Sequence, residues 1–199
     1  GEAELTANLA PVLSGGEGFA RWDLIPLYPT LRPYVELLLD SPGFFVMFWN
    51  SVKITLGTLA GQLLVGVPAA WGFARHEFPC KNLLFTLYIV LMLMPFQVTM
   101  MPTYLVLDRL NLLDTLTGII LPAAFSTFPV FIMYRFFRGI PQALIESAEL
   151  DGAGSFRIFW SIGLPLGAGG VMSAVVLGFL DCWNLIEPPM TYLKTKALW

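Results

Sequence analysis

Apolar residues in this chain come in long, unbroken blocks separated by short polar links. Four blocks, residues 54–74, 82–107, 115–134 and 158–180, contain no Asp, Glu, Lys or Arg. A hydrocarbon layer about 30 Å thick takes roughly 20 helical residues rising about 1.5 Å each, so each block is long enough to cross it. The pattern predicts an all-α, polytopic transmembrane helical bundle with spans over about 44–75, 82–107, 115–136 and 156–183.

Residues 1–43 read differently. Gly15, Gly16 and Gly18 alternate with Pro11, Pro26, Pro29, Pro33 and Pro42, a density that interrupts long helices and suits a loop over the membrane. Within it, residues 31–39 can form a short interfacial helix, with Tyr34, Trp22 and Tyr28 at headgroup depth. The first span starts near Phe44, with Lys53 about one turn from the interface and able to snorkel. Pro68 is expected to kink it. Gly57 and Gly61 stand at GxxxG spacing, and two readings stay open for them: close helix crossing, or the ordinary glycine content of membrane helices.

Composition agrees with the pattern. With 56% hydrophobic and 13% charged residues and a mean hydropathy of +0.71, a water-soluble domain of this size cannot bury all its apolar surface, and membrane lipid is the implied solvent. The net charge of −3 argues against a nucleic-acid partner. Orientation depends instead on where Lys and Arg fall. Arg75, Lys81, Arg135, Arg138 and Arg157 lie on the first and third links and only Arg109 on the second, which puts the first and third links in the cytoplasm. Both tails are then outside, where they carry Arg21, Arg32, Lys53, Lys194 and Lys196. Cys80 and Cys182 have no metal-ligand spacing and fall at different depths, so neither a disulfide nor a metal site is expected. His76, the single histidine, reads as a solvated loop residue.

The third link holds a polar element that cannot live in lipid. Pro141 opens a helix over 141–152, Gln142, Glu146, Glu149 and Asp151 load it with acceptors, and Gly152 and Gly154 end it. A short helix parallel to the membrane can enter a groove on a partner. The other reading is an interfacial helix resting on headgroups, for which this many carboxylates match an anionic inner leaflet poorly. Downstream, Pro165 and Gly163, Gly167, Gly169, Gly170 and Gly178 make the last span able to kink and to be crossed closely; static packing accounts for them equally well.

The run Glu146-Ser147-Ala148, three residues, Gly152, nine residues, Ile162, one residue and Leu164-Pro165 resembles the cytoplasmic signature loop of permease subunits in binding-protein-dependent ABC importers. Ser147 replaces the second residue of that family's Glu-Ala-Ala opening. In the same order as in the family stand Phe48-Trp49-Asn50-Ser51, Phe73-Ala74-Arg75, Phe78-Pro79-Cys80-Lys81-Asn82, Met94-Pro95-Phe96-Gln97-Val98-Thr99, Phe136-Phe137-Arg138-Gly139-Ile140-Pro141 and Asp181-Cys182-Trp183-Asn184. Together they resemble the carbohydrate-importing branch, in particular the maltose-type second permease subunit, from about Pro29 onward.

The resemblance implies a type I ABC importer permease-like bundle in which 141–152 is the coupling helix. On that reading Glu146, Ser147, Ala148, Asp151 and Gly152 dock onto a cytoplasmic ATPase subunit. It implies as partners ATP-binding subunits, a second permease subunit and an extracellular solute-binding protein, in a bacterial or archaeal inner membrane. Six spans are usual in that family, so one helix before Gly1 and one after Trp199 are expected beyond these residues. Nothing matches GxxxxGK[ST], so the chain is expected to bind no cofactor and to leave ATP to the partner.

For the solute path, Gln97, Trp183 and Asn184 are the candidates, because polar groups at membrane depth cost free energy unless they face protein or water. Trp183 is equally readable as an interfacial belt residue and Gln97 as a bridge between helices. The family commonly has an acidic residue after the Trp-Asn pair; here Leu185 follows, and Glu187 comes later. Two other function classes call for different residues. An ion-coupled secondary transporter calls for buried charge pairs and repeat symmetry. A membrane-embedded enzyme calls for paired groups that a lone His76 does not supply.

Overall fold

The computed structural model describes Tyr34 and residues 42–195. Of the expected interfacial helix only Tyr34 is described, helical and exposed; Trp22, Tyr28 and the other residues of 31–39 lie outside the described residues. The chain divides into two compact units, Gly1–Phe45 and Val46–Trp199. In the first, Phe44 and Phe45 meet edge to face at 5.8 Å.

Every regular element among the described residues is helical. The order is α1 Pro42–Arg75, α2 Lys81–Met92, α3 Phe96–Arg109, α4 Leu116–Ala124, α5 Thr127–Arg138, α6 Gln142–Leu150 and α7 Ser155–Ile158. A π-helical turn, Phe159–Gly163, leads into α8 Leu164–Trp183, and α9 is Glu187–Tyr192. Gly43–Arg75, Leu116–Arg138 and Ser155–Trp183 are long and apolar enough to cross a membrane.

The expected second span, 82–107, is not one straight helix. α2 and α3 meet at 104°, and with 12 and 14 residues each falls short of the roughly 20 a straight crossing takes. Pro95 stands at the break: it cannot donate to a helical carbonyl, and its ring disfavours the helical region for Met94. Its own ψ of 148° starts α3 afresh. Pro68 acts differently, since α1 continues through it to Arg75.

Proline also shapes the other spans. α4 gives way to α5 at Phe125 and Ser126, with Pro129 in the first turn of α5, where its missing N–H costs nothing. Thr115 caps α4, its Oγ1 accepting from the Gly118 amide at 3.1 Å. Pro165 removes the donor for the Ser161 carbonyl, and just before it the Leu164 amide reaches back to Phe159, the i→i+5 bond of a π turn.

Gly57 and Gly61 of α1, and glycines at and beyond the start of α8, sit where helices touch. A Cβ on Gly61 would lie 2.6 Å from the Ala124 Cβ, and one on Gly57 2.9 Å from Ile120. On the α8 side, a Cβ on Gly163 would stand 2.5 Å from Trp71, on Gly167 2.2 Å from Phe137 and on Gly170 2.6 Å from Phe136. Close crossing is therefore the reading the packing supports, at backbone distances only glycine permits. The core that results joins α1, α5, α6, α7 and α8 through Val67, Ala70, Trp71, Met133, Phe137, Ile145, Ile158 and Ala174. α2 leans on α5 by Phe85, whose ring centroid is 4.3 Å from that of Tyr134.

Candidate functional site

The third link folds as one short helix with two different faces. Ile145 is buried and Ala148 half-buried, and both pack on the core. Glu146, Ser147, Glu149 and Asp151 are exposed, and Leu150 is 89% exposed at the end of the outward face. The Ser147 hydroxyl donates to the Leu144 carbonyl of its own helix at 3.1 Å.

The helix ends in a closed motif. Ala153 N–H donates to the Ala148 carbonyl and Gly152 N–H to the Glu149 carbonyl, both at 2.9 Å. These are the paired bonds of a Schellman cap. Gly152 has φ +78°, the left-handed region that favours glycine, and no atom lies within 4 Å of a Cβ built there. Ala153 and Ala148 both pack on the same core and supply the apolar contact such caps carry. The predicted bounds of 141–152 therefore shrink slightly: Pro141 is the residue before the helix, and Asp151 and Gly152 form its exit.

Glu149 and Asp151 stand at the negative end of the helix dipole, an arrangement that weakens an isolated helix and suits contact with a basic partner. Just beyond, exposed Phe156 and Trp160 stack at 6.3 Å with an interplanar angle of 18°.

The three solute-path candidates each engage a different neighbour. Gln97, in the first turn of α3, donates through Nε2 to Glu187 Oε1 at 3.1 Å, on the first residue of α9. Asn184 turns its amide back to the Leu180 carbonyl at 2.8 Å and so caps α8. Trp183 stacks on Phe179 at 5.5 Å, meets Phe48 edge to face at 6.0 Å and borders a cleft of about 240 Å³ with Met47, Asn50, Ile54, Cys182 and Met190. The acidic residue displaced to position 187 thus reaches the polar group of the broken span, a contact across 90 positions that no local signal announces. Asp114 likewise bonds to residues distant in sequence. Its Oδ1 accepts from the Lys194 and Thr195 amides at 2.8 Å each and its Oδ2 from the Thr195 hydroxyl, and these bonds hold its carboxyl below the usual carboxylate range.

A column of polar side chains, Thr55, Thr58 and Gln62, is buried along α1. Gln62 Nε2 donates to the Ala123 carbonyl at 3.0 Å, and its Oε1 faces Gly178. Cys80 is exposed and Cys182 buried, both as free thiols.

Comparison with known proteins places this geometry. The sn-glycerol-3-phosphate transport system permease protein of Yersinia enterocolitica is 34% identical over 145 residues, 73% of this chain and 52% of that protein. A probable ABC transporter permease protein of Pyrococcus horikoshii is 32% identical over 188 residues, 89% of this chain and 68% of that protein. The arabinooligosaccharides transport system permease protein of Bacillus subtilis is 30% identical over 176 residues, 88% of this chain and 63% of its own length. The chain thus spans about half to two thirds of the length of these curated relatives. The fold is shared with a chain in the crystal structure of a bacterial ABC transporter involved in the import of the acidic polysaccharide alginate, at a TM-score of 0.81 and 21% identity, covering 99% of this chain and 72% of that one. Residues 62–186 match the family described as binding-protein-dependent transport system inner membrane component, and the chain belongs to that family.

Proposed function

We propose that this protein is a multi-pass permease subunit of an ATP-driven importer, translocating a sugar or related polyol delivered by an extracellular solute-binding protein. α6 is its docking element for a cytoplasmic ATPase subunit, which supplies the ATP chemistry, and a second permease subunit completes the path. The observation that carries the reading is the two-faced build of α6: Ile145 and the cap anchor it to the bundle, while Glu146, Ser147, Asp151 and Gly152 remain turned outward with Ala148 at the boundary. A rigid helix fixed on one side and free on the other is the shape that helix-in-groove recognition uses.

Three observations support the rest. The basic residues cluster on the links at the α6 end of the bundle, as the positive-inside rule requires of a cytoplasmic face. Phe156 and Trp160 give that face an aromatic anchor for the headgroup layer. The names of the Yersinia and Bacillus relatives support a phosphorylated polyol or a sugar as the solute.

The test is Gly152→Val in the assembled transporter. A β-branched residue at φ +78° costs at least the roughly 1–2 kcal/mol of an ordinary left-handed residue, so the cap opens and the α6 exit moves. ATP hydrolysis should continue while solute uptake falls, and co-purification of the ATPase subunit should weaken further when Glu146 is reversed to Lys. Full uptake by the Gly152→Val protein contradicts the proposal.

A further inference from the structure

Arg75 ends α1, yet its side chain is spent on two other elements. Nη2 donates to the Phe137 carbonyl at 2.7 Å and also to the Ile140 carbonyl. Nη1 donates to Gln142 Oε1 at 3.1 Å. The guanidinium also lies 5.7 Å from the centre of the Trp71 ring, and Trp71 meets Phe137 edge to face at 5.5 Å. Phe137 is 0% exposed and Ile140 6%, so these carbonyls have little water to turn to if the donor is lost.

Each contact fits the chemistry of arginine. The last turn of α5 and the residue leading to α6 present carbonyls at the negative end of the α5 dipole, where a cation is favoured. A planar fork with several donors can satisfy three separate acceptors at once, which a lysine ammonium on a flexible stem cannot do in the same geometry. Gln142 is the first residue of α6, so the fork closes a joint between the ends of α1 and α5 and the start of the docking helix. Other basic residues nearby act locally: Arg138 donates to Tyr134 of its own helix at 2.6 Å, and Lys81 pairs with Glu77 four positions before it.

We propose that Arg75 is a positioning residue for energy transmission, tying the start of α6 to α1 and α5 so that a displacement of the docking helix moves both spans together. The inference rests on α6 being the docking helix. It adds α1, which is distant in sequence from the signature loop, as a direct recipient of the motion. Without the joint, α6 remains attached through Ile140 and Ile145 but pivots against α1.

The experiment uses the complete transporter with its ATPase and second permease subunits in proteoliposomes, comparing wild type, Arg75→Lys, Gln142→Leu and Gln142→Glu. Arg75→Lys should retain the ATPase subunits and raise the ATP hydrolysed per solute imported by about tenfold, because it also weakens the part-buried charge-assisted bonds to the Phe137 and Ile140 carbonyls, whereas the Gln142 bond is exposed. Gln142→Leu removes one acceptor and should raise the ratio about threefold, while Gln142→Glu keeps the acceptor and should match wild type. Spin labels on Leu144→Cys and Gly72→Cys, with Cys80 and Cys182 replaced, read the joint itself. Their separation should stay constant through the nucleotide cycle in wild type and change in Arg75→Lys. Wild-type coupling in both Arg75→Lys and Gln142→Leu with ATPase subunits bound, or a separation that varies equally in wild type, overturns the inference. If Arg75→Lys does not assemble, the Gln142→Leu and Gln142→Glu pair decides by the same ratio. Failure of the docking reading appears elsewhere, as full coupling in the Gly152→Val protein.

Discussion

Replacing Gly167 by Ala tests the packing that any transmitted motion must use. A Cβ at this position would stand 2.2 Å from Phe137 Cε1 and 2.5 Å from Cδ1, against the roughly 3.5–4.0 Å of an ordinary carbon contact. α8 and α5 must therefore separate by more than about 1 Å, or the ring must turn. The ring has little room: Phe137 is fully buried, and Trp71, which flanks it, is itself within 2.5 Å of a Cβ built on Gly163. Overpacking of this kind costs about 1–3 kcal/mol, here towards the upper end, and the gain in helix propensity of Ala over Gly returns up to about 1 kcal/mol. The net loss of about 2 kcal/mol corresponds to a fall of roughly 4–8 °C in apparent melting temperature for a domain of this size. Gly72→Ala is the matched control, because nothing lies within 4 Å of its Cβ position. Thermal unfolding of the detergent-purified protein, followed by size-exclusion fluorescence, measures both. A Gly167→Ala protein that melts at or above the Gly72→Ala protein refutes the reasoning.

Three further outcomes follow from the same structure. Asp114 contributes its tether to Lys194 and Thr195 fully above the ordinary carboxylate range, because its folded-state carboxyl titrates lower than the unfolded one; the tether is lost as pH falls through that lowered value. With the intrinsic base-catalysed rate divided out, the protection factors of the Lys194 and Thr195 amides should fall on acidification and be low already at neutral pH in Asp114→Asn, and protection factors independent of pH contradict this. Glu187→Ala removes only an exposed hydrogen bond from Gln97, so its melting temperature should shift by the equivalent of less than about 1 kcal/mol. Gln62→Leu removes the bond to the Ala123 carbonyl, which still accepts from the Ser126 amide at 3.2 Å, together with a buried Oε1 that accepts no bond, so it should cost no more than about 1.5 kcal/mol in the same unfolding assay.

What could be read from the residues was what local chemistry decides. The apolar blocks marked the spans, and Pro141, the acidic run and Gly152 marked α6 to within two residues, because a cap and a proline act on their own neighbours. The break at Pro95 was hidden by hydropathy, which counts an apolar residue the same whether the helix continues or turns. Pro68 and Pro95 lie in equally apolar surroundings, yet one stays inside a helix and the other ends one, so tertiary packing decides between them. Contacts between distant positions had no local sign: Gln97 with Glu187, Arg75 with Gln142, and Asp114 with Thr195. The glycines were visible but ambiguous, and the helices they face resolved them.

The proposed contact between the outward face of α6 and an ATPase subunit lies at the inner membrane surface. Its most direct test is impermeant maleimide labelling of Ser147→Cys, in a background lacking Cys80 and Cys182, on sealed vesicles of both orientations. Labelling is expected only in inverted vesicles stripped of peripheral proteins, with protection when the ATPase subunit is restored. Labelling from the external side, or an unchanged rate with the ATPase subunit bound, would contradict it.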